Sequence, residues 1–81
     1  MSAEWDAGDL GCGDLVLELR LRLDALPPGC ILKLIARDSG ARADIPAWCR
    51  LTGHVLVETR VEEGRRTRFW IRKVPRPTQP T

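Results

Sequence analysis

The chain has 81 residues, too few for a two-lobed enzyme with a cleft between its halves, and reads as one small domain. Hydrophobic residues make up 43% and charged residues 30%, which argues against a disordered chain, and no apolar run approaches the ~20 residues of a membrane span. Net charge is +2, but residues 1–40 carry net −3 and residues 41–81 net +5, so the basic half reads either as a solvated set of strand edges or as a face for an acidic partner, a nucleic acid or an anion. Residues 1–9 hold acids and no basic stretch, unlike a secretory signal. Three cysteines, Cys12, Cys30 and Cys49, are an odd number without CxxC spacing, so free thiols in a reducing cytoplasm are expected.

Residues 3–8 read as a short strand with Trp5 inward and Glu4 and Asp6 outward. Residues 8–14 hold three glycines and two aspartates and read as a loop. Residues 15–26 fit two periods. Alternating leucines suit a strand, while Val16, Leu19, Leu23 and Leu26 suit one helical stripe. Leu, Glu and Arg favour the helix, Asp14 suits its start, and Pro27-Pro28-Gly29 stops it. Leu17 and Leu21 then fall outside the stripe, as peripheral core or as an exposed patch for a partner.

Residues 30–37 form an apolar strand, followed by a turn at Asp38-Ser39-Gly40. Residues 44–52 read as a second helix with Asp44 as N-cap, Pro46 in its first turn and Gly53 at its stop. Its apolar face is Ile45, Trp48, Cys49 and Thr52. Residues 54–61 and 67–73 are strands joined by a hairpin loop at 62–66. The order β-α-β-α-β-β predicts an α/β (α+β) two-layer sandwich, a four-stranded mixed sheet with two helices on one face. The domain is expected over residues 1–73, with a disordered proline-rich tail over 74–81.

Among candidate chemical groups, Cys12 stands in the glycine cluster before the first helix. It is either a small loop residue or a thiol activated by the helix N-terminus. Cys30 and Cys49 lie in apolar surroundings and read as core. Cys12, Cys30, Cys49 and His54 lack zinc-ligand spacing, so no metal is expected. A Cys12–His54 nucleophile–base pair requires the glycine loop to meet the start of the third strand. No nucleotide-binding glycine motif is present. Arg65, Arg66, Arg68, Arg72, Lys73 and Arg76, with Phe69 and Trp70 between them, suit an acidic partner protein better than a nucleic acid, since alternation buries one of the two rings.

An ordered series of residues resembles the TusA/SirA sulfur-carrier (sulfurtransferase) family. It comprises Asp6-Ala7, Leu10-Gly11-Cys12, Leu26-Pro27-Pro28-Gly29, Ile35-Ala36-Arg37-Asp38, Asp44-Ile45-Pro46-Ala47-Trp48-Cys49, Gly53-His54 and Phe69-Trp70-Ile71-Arg72-Lys73. The resemblance spans about residues 5–73. It implies a cytoplasmic monomer with the fold of the C-terminal domain of translation initiation factor three. It implies a persulfide relayed on Cys12, without cofactor, between sulfur-donor and sulfur-acceptor proteins. Gly11, Gly13 and Asp14 would support the thiol. The family hallmark Cys-Pro-x-Pro is replaced by Cys12-Gly13-Asp14-Leu15, so both prolines are lost. That departure marks a divergent branch and motivates the alternative of a non-catalytic interaction or regulatory module. No nucleic acid or membrane partner is expected.

Overall fold

A computed structural model describes residues 2–63 and 66–74. Among them, β1 (Ser2–Gly8), α1 (Cys12–Asp24), β2 (Ile31–Ala36), α2 (Ala41–Thr52), β3 (Val55–Val61) and β4 (Thr67–Arg72) follow in the expected order. The sheet order is β1-β2-β4-β3. β1 runs parallel to β2, and β4 pairs antiparallel with both β2 and β3. β2 and β3 therefore run in the same direction with β4 inserted between them, and β1 and β3 are the edges.

Alternation along the strands builds two faces. Ala7, Leu32, Leu34, Ala36, Phe69 and Ile71 point into a core closed by Leu15, Leu19 and Leu23 of α1 and Ala41, Ile45 and Cys49 of α2. Trp5 is half-buried against this core, and Glu4 and Asp6 face outward as expected. The opposite face is a lattice of paired charges. Lys33 lies 3.5 Å from Glu4 across the β1–β2 pair, and Arg60 lies 3.0 Å from Glu58 on β3. Arg68 Nε stands 2.6 Å from Glu62, which raises the already high pKa of its guanidinium. The Arg60 guanidinium also sits 5.6 Å from the centre of the Trp70 ring. Phe69 is fully buried and Trp70 half-buried beneath Arg60, so the two rings do not form a shared stacking surface.

Three boundaries differ from the sequence-based expectation. Residues 12–14, read as the end of a loop, are the first turn of α1. Gly11 is the N-cap in extended conformation, and Gly13 adopts no positive φ, so both glycines are compatible with a helix start. The buried stripe is accordingly Leu15, Leu19 and Leu23, while Val16 and Leu26 are only partly buried beside it. α1 ends at Asp24, ahead of Leu26, because a residue before proline avoids helical backbone.

The second helix begins at Ala41, three residues before the expected start, and Gly40 rather than Asp44 is its N-cap. Burial of Ala41 on the same face as Ile45 and Cys49 explains the extra turn. Pro46 thus lies inside the helix, where it removes one backbone donor. Gly53 ends α2 in the left-handed region at φ 88°, as expected. Of the expected tail, residues 75–81 lie outside the described residues, as do Gly64 and Arg65 of the hairpin loop.

Candidate functional site

Because α1 follows β1 and α2 follows β2, both helices begin at the carboxyl end of the parallel strands. Ligand and reaction sites of open α/β sheets gather at this end. The connection from β1 to α1 is held there by backbone. Gly8, at φ 62°, takes a hydrogen bond on its carbonyl from the Arg37 N–H (3.3 Å) and donates its own N–H to the Asp6 carboxylate (2.9 Å). Leu10 N–H donates to the Ala7 carbonyl at 3.2 Å. The Arg37 guanidinium lies 3.9 Å from the Asp9 carboxylate, which offsets part of the negative charge near the start of α1. Both groups are exposed, so this pair contributes little to stability.

The four residues Gly11, Cys12, Gly13 and Asp14 fall into consecutive positions of one helix start. Gly11 is the cap, and its carbonyl accepts from the Leu15 N–H at 2.7 Å. Cys12 is the first helical residue, Gly13 the second and Asp14 the third. The first N–H groups of a helix have no intrahelical partner and carry partial positive charge. Among the described residues no side-chain hydrogen bond caps this end. The carboxylate of Asp14, in the first turn, is the acidic group that suits the helix dipole.

Cys30 and Cys49 are buried free thiols. Burial pushes the Cys49 thiol up from 9.0 to about 11, which keeps it protonated and unreactive near neutral pH. His54 precedes β3, whose first residue pairs with Arg72 on the row that also holds Ile31 and Ser2. That row is the opposite end of the sheet from Gly8, and β3 is the opposite edge from β1. The topology therefore overturns a Cys12–His54 pair. His54 is instead engaged locally. Its ring centre lies 5.5 Å from that of Trp48, and its Nδ1 accepts from the Val74 N–H at 3.4 Å. Among the described residues no cluster of three or more His, Cys, Asp or Glu is arranged to hold a metal. No helix among them is long and apolar enough to cross a membrane.

A family profile described as "Sulfurtransferase TusA" matches residues 3–73, nearly the whole of the described fold. The chain belongs to the TusA family. It is 44% identical over 73 residues to "Sulfur carrier protein TusA" of Pseudomonas syringae pv. syringae strain B728a, covering 90% of this chain and 86% of that protein. It is 44% identical over 68 residues to the protein of the same name from Pseudomonas paraeruginosa strain PA7, covering 84% and 85% of the two chains. The corresponding protein of Pseudomonas fluorescens strain SBW25 is 41% identical over 68 residues, covering 84% and 81%. The four-stranded mixed sheet with two helices on one face agrees with the fold expected of a TusA-family member.

Sequence patterns did not reveal the tether between Asp9 and Arg37, because the two belong to different β-α connections. Arg37 carries no local signal of its own beyond ending an apolar strand.

Proposed function

We propose that the protein is a sulfur carrier that holds sulfane sulfur as a persulfide on Cys12 and relays it from a donor protein to an acceptor protein in the cytoplasm. The observation that carries this reading is the contrast among the three cysteines. Cys12 opens α1, whereas Cys30 and Cys49 are buried. A helix N-terminus favours thiolate over thiol, and the thiolate is the nucleophile. The relatives' printed name, sulfur carrier protein, supports the same activity.

The chemistry needs only the thiol and its partners. The Cys12 thiolate attacks the outer sulfur of a donor persulfide, R–S–SH. The donor S–S bond breaks, the donor leaves as a thiol carrying the persulfide proton, and Cys12–S–S⁻ remains. One sulfur atom moves and no electrons are gained or lost overall. An acceptor thiolate then attacks the outer sulfur by the same displacement, and Cys12 becomes the leaving group. Gly11 supports the step by ending the loop in extended backbone, and Gly13 and Asp14 lie within the first turn that follows the thiol.

Loss of the two family prolines does not remove this helix start. α1 begins at Cys12 with glycine at its second position and leucine at its fourth. Incubation with a cysteine desulfurase and cysteine should raise the intact mass by that of one sulfur atom, and Cys12→Ser should abolish the gain. Equal loading of Cys12→Ser and wild type would overturn the assignment.

A further inference from the structure

The two edge strands of the sheet are guarded differently. β3 breaks register between Leu56 and Glu58, and such a bulge twists an edge away from further pairing. β1 stays in register with β2 from Ser2 to Asp6 and contains no proline, and among the described residues no strand covers its outer side. On the helix-facing side, β1 borders a crevice of about 190 Å³ formed with Trp5, Ala25, Leu26 and Leu32. The Arg22 guanidinium lies at its border, 4.5 Å over the Trp5 ring. The volume is below the roughly 300–1,000 Å³ of small-molecule sites and suits one apolar side chain. Trp5 is half-buried, so its ring keeps surface for such a side chain. On the opposite side of the same strand Glu4 and Asp6 are exposed. Glu4 reaches Lys33 at 3.5 Å, and Asp6 forms no ion pair among the described residues.

These carboxylates decide the occupant. A two-fold antiparallel pairing of β1 with a second copy sets Glu4 or Asp6 against a carboxylate of the other strand, in every register that joins five or more residues of Ser2–Gly8. Like charges directly opposite destabilise a strand pair. A strand with Lys or Arg at alternate positions meets opposite charges at the same place. We propose that the outer edge of β1 binds an extended segment of a partner protein by strand addition. An apolar side chain of that segment enters the Trp5 crevice, and Lys or Arg residues on either side of it stand against Glu4 and Asp6. The apolar–basic order follows from strand geometry, because successive side chains of the added strand reach opposite faces. Cys12 opens the other end of α1, roughly 15 Å of helical rise from Arg22, so the edge can be filled while the carboxyl end of the sheet stays open. The proposal does not depend on which thiol carries sulfur.

The probe is a short labelled peptide that alternates lysine with valine, read by fluorescence anisotropy and by amide exchange of the protein. One control alternates glutamate with valine, and a second keeps the lysine–valine composition with the lysines grouped together. Wild type should bind the alternating lysine–valine peptide at least about tenfold more tightly than either control. The bound peptide should slow amide exchange in β1 and leave β3 unchanged. Trp5→Ala should weaken binding by about tenfold, as for loss of an interface anchor. Glu4→Lys, which keeps Trp5, should bind the lysine–valine peptide more weakly and the glutamate–valine peptide more tightly. The melting temperature, read alongside, confirms that each variant is folded. Equal affinity for the three peptides, protection away from β1, or unchanged binding by both variants overturns the proposal. A homodimer in sedimentation that Trp5→Ala dissolves assigns the edge to a second copy and likewise overturns it.

Discussion

α1 and α2 start at the same end of the sheet, each on a glycine cap without a side-chain hydrogen bond, yet they place cysteine in opposite settings. α1 has Cys12 as its first residue. α2 has the fully buried Ala41 there and holds Cys49 two turns further along, at 2% exposure. Burial raises the Cys49 thiol to about 11, while a helix start lowers the cost of the charged form. On the proposed reading, position in the helix separates the thiol that reacts from the one that is buried. The outer faces differ as well. α1 exposes Leu17 and Leu21 on the face that Asp14 and Glu18 share, and α2 exposes Leu51 alone of its large hydrophobic residues while its buried residues Ala41, Ile45 and Cys49 face the core.

The contrast between the two faces of α1 is the largest to test. Leu19→Ala, in the buried stripe, should cost about 2–5 kcal/mol in urea unfolding. Leu17→Ala, on the outer face, should change stability by less than about 0.5 kcal/mol. A similar loss for both would show that the outer leucines are structural.

The contrast between the thiols predicts a pH dependence of stability. The folded pKa of Cys49 lies above its unfolded value, so its contribution is fully present below about pH 9 and is lost as pH rises toward 11. Relative to Cys49→Ala, wild type should lose up to about 1.4 kcal/mol per pH unit in that window. Parallel stability profiles for the two proteins would contradict a buried neutral thiol. The smallest effect concerns Gly13. Its backbone lacks a positive φ, and nothing lies within 4 Å of an added Cβ. Gly13→Ala should therefore stabilise the protein by about 0.4–1 kcal/mol in thermal unfolding, and a loss of stability would show that glycine is needed there.

Much of the fold was legible before the structure. The composition of residues 15–26 decided for helix over strand, and Pro27-Pro28-Gly29 and Gly53 marked where helices must stop. Helix starts were harder. Gly11 and Gly13 look like loop residues in isolation, and only the packing of Leu15 and Ala41 shows that each helix runs back to the glycine before it. The insertion of β4 between β2 and β3 was not legible either. Local alternation fixes which side chains share a face, and strand neighbours are set by tertiary packing. Its trace is the polar run Glu58-Thr59-Arg60, which suits the edge strand β3 occupies, against the buried Thr67, Phe69 and Ile71 of β4. Cys12 stood out as a candidate in the sequence through its glycine cluster and family resemblance. Its place as the first residue of α1 came from the helix boundary, and the exposure of Leu17 and Leu21 from the burial pattern of that helix.

The central claim is that sulfur resides on Cys12 and on neither buried thiol. Peptide mass mapping after loading with glutathione persulfide tests it most directly. The account predicts one added sulfur on the Cys12 peptide, with the Cys30 and Cys49 peptides unmodified. Sulfur on either buried cysteine, with the Cys12 peptide unchanged, would contradict it.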